Sequence, residues 1–414
     1  MTVSRAALAA LAATFGVATA VADAAAQQPS PVAGQRVLAL SREERTALQA
    51  LELAAAGADR LAQDAALAAA RAVVRGADGR HALGHLQVRI GQARGDVQLT
   101  GQGVDLMVES GLAQGAELAS LLTNQASRAY YAGEFDRADR LLARAVELQP
   151  NNAAALADHG QIKARRGERA QAVALLQQAI ALQSSSGQPA PESWYQRALA
   201  LAVEGRLAPQ SVALARELVA AYPSTINWRD ALLVYRDAAA GADTALDLDI
   251  RRLMRAAQAL SGERDYLELA DTLGRAGLAG EVKAVLDEGV ARGMLDAAEP
   301  VVRQTVAANN RRLTAHRAGL ARSRTQALAA ATGAPARAAA DAYFGYGQYA
   351  EAAELYRAAL QKGGEDTNLV NSRLGAALAL AGQRAEAEMT LRAVTGPRAD
   401  LAAFWLAWLA RRPA

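Results

Sequence analysis

The chain contains no cysteine. That absence excludes disulfides, thiolate zinc sites, a cysteine nucleophile and a lipid-modified cysteine. Aromatic residues are scarce at 4%, although hydrophobic residues reach 52%. The core therefore has to be assembled mainly from Ala, Leu and Val. Runs of β-branched residues bounded by turn residues are nearly absent, while the strong helix formers Ala and Leu are abundant. Lysine stands only at Lys163, Lys283 and Lys362, so Arg supplies the rest of the 45 basic residues against 42 acidic ones. A formal charge of +3 over 414 residues is close to neutral. No nucleic-acid-binding signature accompanies the basic pI of about 9.2, and nucleic acid is not expected as a partner.

A length of 414 residues exceeds one ordinary globular core and implies either several domains or one extended array. At the N-terminus, Arg5 precedes an apolar run from Ala6 to Val21, and small residues follow with A-x-A spacing at 22–24 and 24–26. This is the pattern of a cleaved secretory signal over residues 1–26, followed by a polar, Pro-containing linker over 27–40. It predicts a periplasmic or secreted protein from a Gram-negative bacterium. No other stretch is long and apolar enough to span a membrane.

Self-comparison of the chain reveals a period. Gly133, Ala138, Leu142 and Ala145 recur 34 positions later as Gly167, Ala172, Leu176 and Ala179, and Leu122 and Ala126 recur as Leu156 and Gly160. The stretch GEFDRADRLLARAVELQPNN at 133–152 resembles the second half of the tetratricopeptide repeat consensus, including its small positions and terminal Pro150. The resemblance implies an all-α superhelix, a solenoid of antiparallel helix pairs. Small residues would set the contact between the two helices of a pair, and glycine the turn between them.

The template continues through Trp194 and Trp228, again 34 apart, and through Tyr266, Leu269, Ala270, Leu273, Gly277, Leu286 and Gly289. Near the C-terminus it fits Tyr343, Gly347, Ala352, Tyr356 and Ala359, then Leu374, Gly375, Leu378, Gly382, Ala387 and Leu391. The expected organisation is degenerate helical repeats over 41–118 and a repeat array over 119–296, clear at 119–152 and 153–186 and weaker beyond. A long Arg-rich helical segment over 297–332, two repeats over 333–399 and a capping helix over 400–414 complete it. In that last helix Asp400 is expected at the cap, with Leu401, Phe404, Trp405, Trp408 and Leu409 buried against the last repeat.

Chemistry is sparse. His81 and His85 share a helical face, but Ala82 stands where a metalloprotease carries its acid, and the downstream ligand pattern is missing. They read as solvent-facing or partly buried neutral histidines, and no metal is expected. Gly345, Gly347 and their neighbours imitate a dinucleotide fingerprint, yet no strand precedes them and the repeat explains Gly347. No hydrolase elbow, P-loop or calcium loop is present. The expectation is a nonenzymatic protein without cofactor.

The resemblance implies a binding groove lined by the first helix of each repeat. Carried over, the groove positions are Thr123, Ser127, Tyr130 and Tyr131, then Gln161 and Arg165, then Tyr195 and Leu199, then Arg229, Leu233 and Arg236. The carboxylate clamp of some family members is not supported, since Ser120, Thr123, Ala154 and Ala157 occupy its places. A scaffold binding a protein or peptide in the cell envelope is the leading expectation. The alternative is an accessory subunit that holds an anionic polysaccharide or other polyanion. Residues 300–340 carry seven Arg and no Asp or Glu, and Arg311, Arg312 and Arg322 are its candidate contacts.

Overall fold

The structure, a computed structural model, describes residues 38–241 and 243–411. The signal segment 1–26 and the linker up to residue 37 lie outside the described residues. Among the described residues there are α-helices and one short 3-10 turn but no strand. Among the described residues no helix is long and apolar enough to cross a membrane. The fold is all-α, built from tetratricopeptide-like helix pairs. The chain divides between Ala190 and Pro191 into two compact units, within the Ser- and Pro-containing stretch that interrupts the repeat.

The first unit comprises α1 (Arg42–Ala56), α2 (Arg60–Val73), α3 (Ala77–Arg94), α4 (Val97–Glu109), α5 (Gly115–Tyr131), α6 (Phe135–Leu148), α7 (Ala153–Arg165) and α8 (Arg169–Ser185). Its helices start at side chains suited to the task. Ser41 and Glu44 form a reciprocal capping box at α1, and Asp59, Asp96 and Asn152 cap α2, α4 and α7 by accepting backbone N–H bonds. Helices α3 and α4 touch through glycine: a Cβ on Gly84 would lie 2.6 Å from the Gly103 carbonyl oxygen. In the two clear repeats, Ala126, Ala138, Leu142, Ala145 and Ile162 form one apolar cluster with no exposed surface. Ala172, Leu176 and Ala179 are as fully buried one period on. A Cβ on Gly160 would sit 3.1 Å from the Ala172 carbonyl, so α7 and α8 are also in near-backbone contact.

The turn between paired helices needs a left-handed residue, which glycine adopts at little expense. Gly133 and Gly167 supply it with φ of 80° and 79°. In the second unit Gly277, Gly347 and Gly382 supply it again, with φ of 75°, 75° and 79°, but between α9 and α10 it is made without glycine, at Arg206 (φ 55°). The hydrogen bonds are preserved: Leu207 N–H donates to the Ala202 carbonyl as Glu134 N–H does to that of Ala129, both at 2.8 Å.

The second unit comprises α9 (Glu192–Glu204), α10 (Ala208–Ala221), α11 (Thr225–Ala238), α12 (Thr244–Ala256), α13 (Gly262–Arg275), α14 (Ala279–Ala291), α15 (Pro300–Ala329), α16 (Ala334–Gly345), α17 (Tyr349–Lys362), α18 (Thr367–Leu380), α19 (Arg384–Arg392) and α20 (Ala399–Ala410). The Arg-rich segment is one 30-residue helix, α15, opened by Pro300 in its first turn.

The C-terminal helix departs from expectation. Leu401, Phe404, Trp405, Trp408 and Leu409 are buried, but not against the last repeat alone. The Phe404 ring lies 5.4 Å from that of Tyr235 and 6.2 Å from that of Trp228, and Trp408 Nε1 donates to the Ala256 carbonyl at 3.0 Å. Helix α20 thus also packs on helices from the beginning of its unit. Asp400 does not cap it. The N-cap is Arg398, and Asp400, already in the first turn, pairs with Arg216 at 2.9 Å.

A buried ionic network joins the same regions. Arg373 Nε donates to both oxygens of Asp249 at 3.0 Å, and Arg398 Nη1 donates to Asp249 at 2.7 Å. Arg252 reaches Asp249 at 3.2 Å and Glu281 at 2.7 Å. Arg373 Nη1 donates to Asp341 at 2.8 Å, and the Tyr356 hydroxyl donates to Asp341 at 2.6 Å. Three guanidinium groups face three carboxylates, so the buried charge balances. Burial pushes the Asp249 carboxyl up, but Arg373, Arg252 and Arg398 together hold it below the usual carboxylate range.

Candidate partner-binding surfaces

Of the six predicted groove residues of the first unit, Tyr130 on α5 meets Gln161 and Arg165 on α7, and Tyr131 lies beside it. The Tyr130 hydroxyl accepts from Gln161 Nε2 at 3.0 Å and from Arg165 Nε at 3.1 Å. Its ring meets Tyr131 and Phe135 edge-on, each at 5.6 Å between centroids. Tyr131 is 64% exposed, and Arg165 is exposed as well. Ser127 is half-buried one helical turn before Tyr131. Thr123 is also half-buried, and its hydroxyl donates back to the Ala119 carbonyl at 2.9 Å. The repeat spacing explains the convergence: Gln161 and Arg165 fall on the helix that follows Tyr130 by one period, on the same face.

In the second unit the groove positions divide. Tyr195 and Leu199 are only 3% and 7% exposed and belong to the core, which corrects their assignment to a surface. The reason is register: α9 lacks a clear repeat match, so the carried-over positions fall on its apolar side. Arg229 is bound internally, to the Asp265 carboxylate and to the Ala259 carbonyl. Leu233 is half-buried. Arg236 lies 4.0 Å from Asp247 and lines a cavity of about 1150 Å³.

That cavity has walls of mixed charge, including Asp247, Arg275, Arg337, Glu365 and Arg373. Arg337 pairs with Glu365 at 2.5 Å and with Asp341 at 3.2 Å, so its charge is compensated within the wall. Sequence reasoning missed this site. Its walls come from segments more than a hundred residues apart, and no local motif connects Asp247 with Arg337 or Arg373.

On α15, Arg311, Arg312 and Arg322 are exposed, with no ion pair to them among the described residues. Arg324 instead pairs with Glu354 at 2.7 Å. Only Val302, Asn309 and Ala327 of this helix are buried.

The two neighbouring histidines are not solvent-facing as a pair. His81 is buried, His85 is half-buried, and Glu117 from the start of α5 comes within 3.3 Å of both. The third member was invisible to a local motif search because it lies on another helix.

No family model matches the chain, and no curated protein does. Similar solved structures exist. One is a tetratricopeptide repeat protein from Parabacteroides merdae ATCC 43184, at 13% identity and TM-score 0.26, covering 70% of this chain and 98% of that one. Another is a structure of Naa15/Naa10 bound to HypK-THB, at 14% identity and TM-score 0.30, covering 80% and 73%. A third is the APC/C hetero-tetramer Cut9-Hcn1, at 13% identity and TM-score 0.26, covering 79% of this chain and 66% of that one. The fold assignment rests on the chain's own helix pairs, their small-residue contacts and their left-handed turns.

Proposed function

We propose that this chain is a noncatalytic scaffold of the bacterial cell envelope that binds a protein or peptide partner across the face where Tyr130, Tyr131 and Arg165 meet. The observation that carries this reading is the Tyr130 hydroxyl held by Gln161 and Arg165 beside a Tyr131 ring that is 64% exposed. Tyrosine and arginine are the side chains favoured at binding hot spots. Fixing them before the partner arrives lowers the ordering cost of association.

A photo-crosslinking residue placed at Tyr131 tests this. It is expected to capture a discrete partner in the periplasm, whereas the same group at the exposed Leu61 is not. Equal labelling at both places would contradict the reading. Export itself is supported by the residues 1–26, and sequencing of the mature N-terminus should place it between Ala25 and Gln27. Intact Met1 in a soluble cytoplasmic fraction would contradict export.

A second reading is favoured by the exposure of Arg311, Arg312 and Arg322 on α15. In it the chain holds an anionic polysaccharide or other polyanion there, with affinity that falls steeply as salt rises.

A further inference from the structure

We propose that His81, His85 and Glu117 form a binding site for a divalent transition metal of the zinc type, joining α3 to the start of α5. The donor atoms are already gathered. His85 Nε2 lies 3.2 Å from His81 Nε2, and Glu117 Oε1 lies 3.3 Å from each. Three ligands on a tetrahedral zinc with bonds of 2.0–2.1 Å stand about 3.3–3.5 Å apart, whereas ligands at right angles on such bonds stand about 3.0 Å apart. The triangle therefore matches tetrahedral coordination, with the fourth position left for water or for a group from a partner.

Ser110 sets the tautomer that coordination needs. Its hydroxyl donates to the Met107 carbonyl at 2.6 Å, and its oxygen accepts from the Leu112 N–H at 3.2 Å. Toward His81 Nδ1, 3.3 Å away, that oxygen is an acceptor. Nδ1 then carries the proton, and the Nε2 lone pair points at His85 and Glu117. A hydrogen on His85 Nε2 satisfies only one of its two neighbours in the triangle. The His81 Nε2 and Glu117 Oε1 lone pairs still face each other, and a cation at the centre satisfies all three. A histidine ligand whose other ring nitrogen donates to an oxygen acceptor, the part Ser110 plays here, is the usual outer arrangement of a metal site.

The positions follow from the fold. The spacing of four puts both rings on one face of α3. The contact of Gly84 with Gly103 draws α4 against α3, and Ser110 ends α4 beside His81. The turn that follows delivers Glu117 in the first turn of α5.

The test uses the full-length, tag-free chain, stripped of metal and titrated with Co2+ while visible absorption is recorded. The expected result is one Co2+ per chain with the intense spectrum of a tetrahedral site, bleached by one equivalent of Zn2+. His85→Gln and the near-isosteric Glu117→Gln should each weaken binding at least ~100-fold, and Ser110→Ala about 10–100-fold. His159→Ala, on α7 where the ring is paired with Asp139, should leave it unchanged. Circular dichroism checks that each variant is folded, and Glu117→Gln keeps the test decisive should His85→Gln unfold. Absence of a saturable signal, or a signal that survives both His85→Gln and Glu117→Gln, would overturn the proposal.

Discussion

Asp249 and Arg373, separated by 124 residues in sequence, share two hydrogen bonds of 3.0 Å in the buried interior of the second unit. Asp249 also receives Arg252 and Arg398, so three guanidinium groups meet on this one carboxylate, with Glu281 and Asp341 supplying the other two negative charges. Removing one member of a buried ion pair typically costs about 3–5 kcal/mol, because the partner charge is left without compensation. Asp249→Asn is expected to destabilise the second unit by an amount in that range, read by denaturant unfolding followed through tryptophan. All four tryptophans, at 194, 228, 405 and 408, report on this unit. A loss under about 1 kcal/mol would show that the network is not a major stabilising element.

The repeat register makes a sharper demand. Ala172 has no exposed surface, and its carbonyl oxygen lies 3.1 Å from where a Cβ on Gly160 would stand, whereas Ala164 is half-buried. Ala172→Leu should overpack the contact of α7 with α8 and cost about 1–3 kcal/mol, with Ala164→Leu costing much less. Melting curves of the two variants decide it, and equal stabilities would refute the register.

The predicted pH response is local. Glu44 is buried, and its Oε1 accepts from the Arg75 and Gly76 N–H groups at 2.9 and 3.0 Å while Oε2 accepts from Ser41 N–H at 2.9 Å. Those backbone bonds, Arg75 first, lower its carboxyl from 4.5 to about 2. A carboxyl depressed on folding contributes stability that is fully present above its unfolded value and is lost as pH falls through the folded one. The advantage of the wild type over Glu44→Gln should be about 1.5–3 kcal/mol above pH 4.5 and should shrink between pH 4.5 and 2. Hydrogen exchange at the Arg75 and Gly76 amides measures it. A difference that grows on acidification would contradict this account.

Much of this was legible in the sequence where the repeat is regular. Ala138, Leu142 and Ala145, and their counterparts Ala172, Leu176 and Ala179, are completely buried because small residues at a fixed period can serve little else. Gly133 and Gly167 announced their turns, but Arg206 makes the same turn without glycine and left no signal. The groove positions Tyr130, Gln161 and Arg165, where the repeat is regular, come together through hydrogen bonds. Tyr195 and Leu199, on a helix whose match to the repeat is weaker, are buried instead. Long-range meetings were beyond reach: nothing near Asp249 points to Arg373, and nothing near His85 points to Glu117.

Arg206 makes a stability gain available. A non-glycine residue in the left-handed region costs about 1–2 kcal/mol, and glycine's own entropy returns about 0.5–1 kcal/mol of that. Arg206→Gly should therefore stabilise the second unit by up to about 1.5 kcal/mol in denaturant unfolding. Destabilisation would mean that the Arg206 side chain contributes more than its backbone conformation costs.

The scaffold reading stands or falls on the Tyr131 face. The direct measurement is titration of the partner captured at Tyr131 against wild type, Tyr131→Ala, Arg165→Ala and the triple variant Arg311→Ala, Arg312→Ala, Arg322→Ala, at low and high salt. The account predicts that at least one of the first two loses ~2 kcal/mol or more of binding, about 30-fold, at both salt concentrations, while the triple variant binds as wild type. Unchanged binding by Tyr131→Ala and Arg165→Ala, together with a salt-sensitive loss confined to the triple variant, would contradict it.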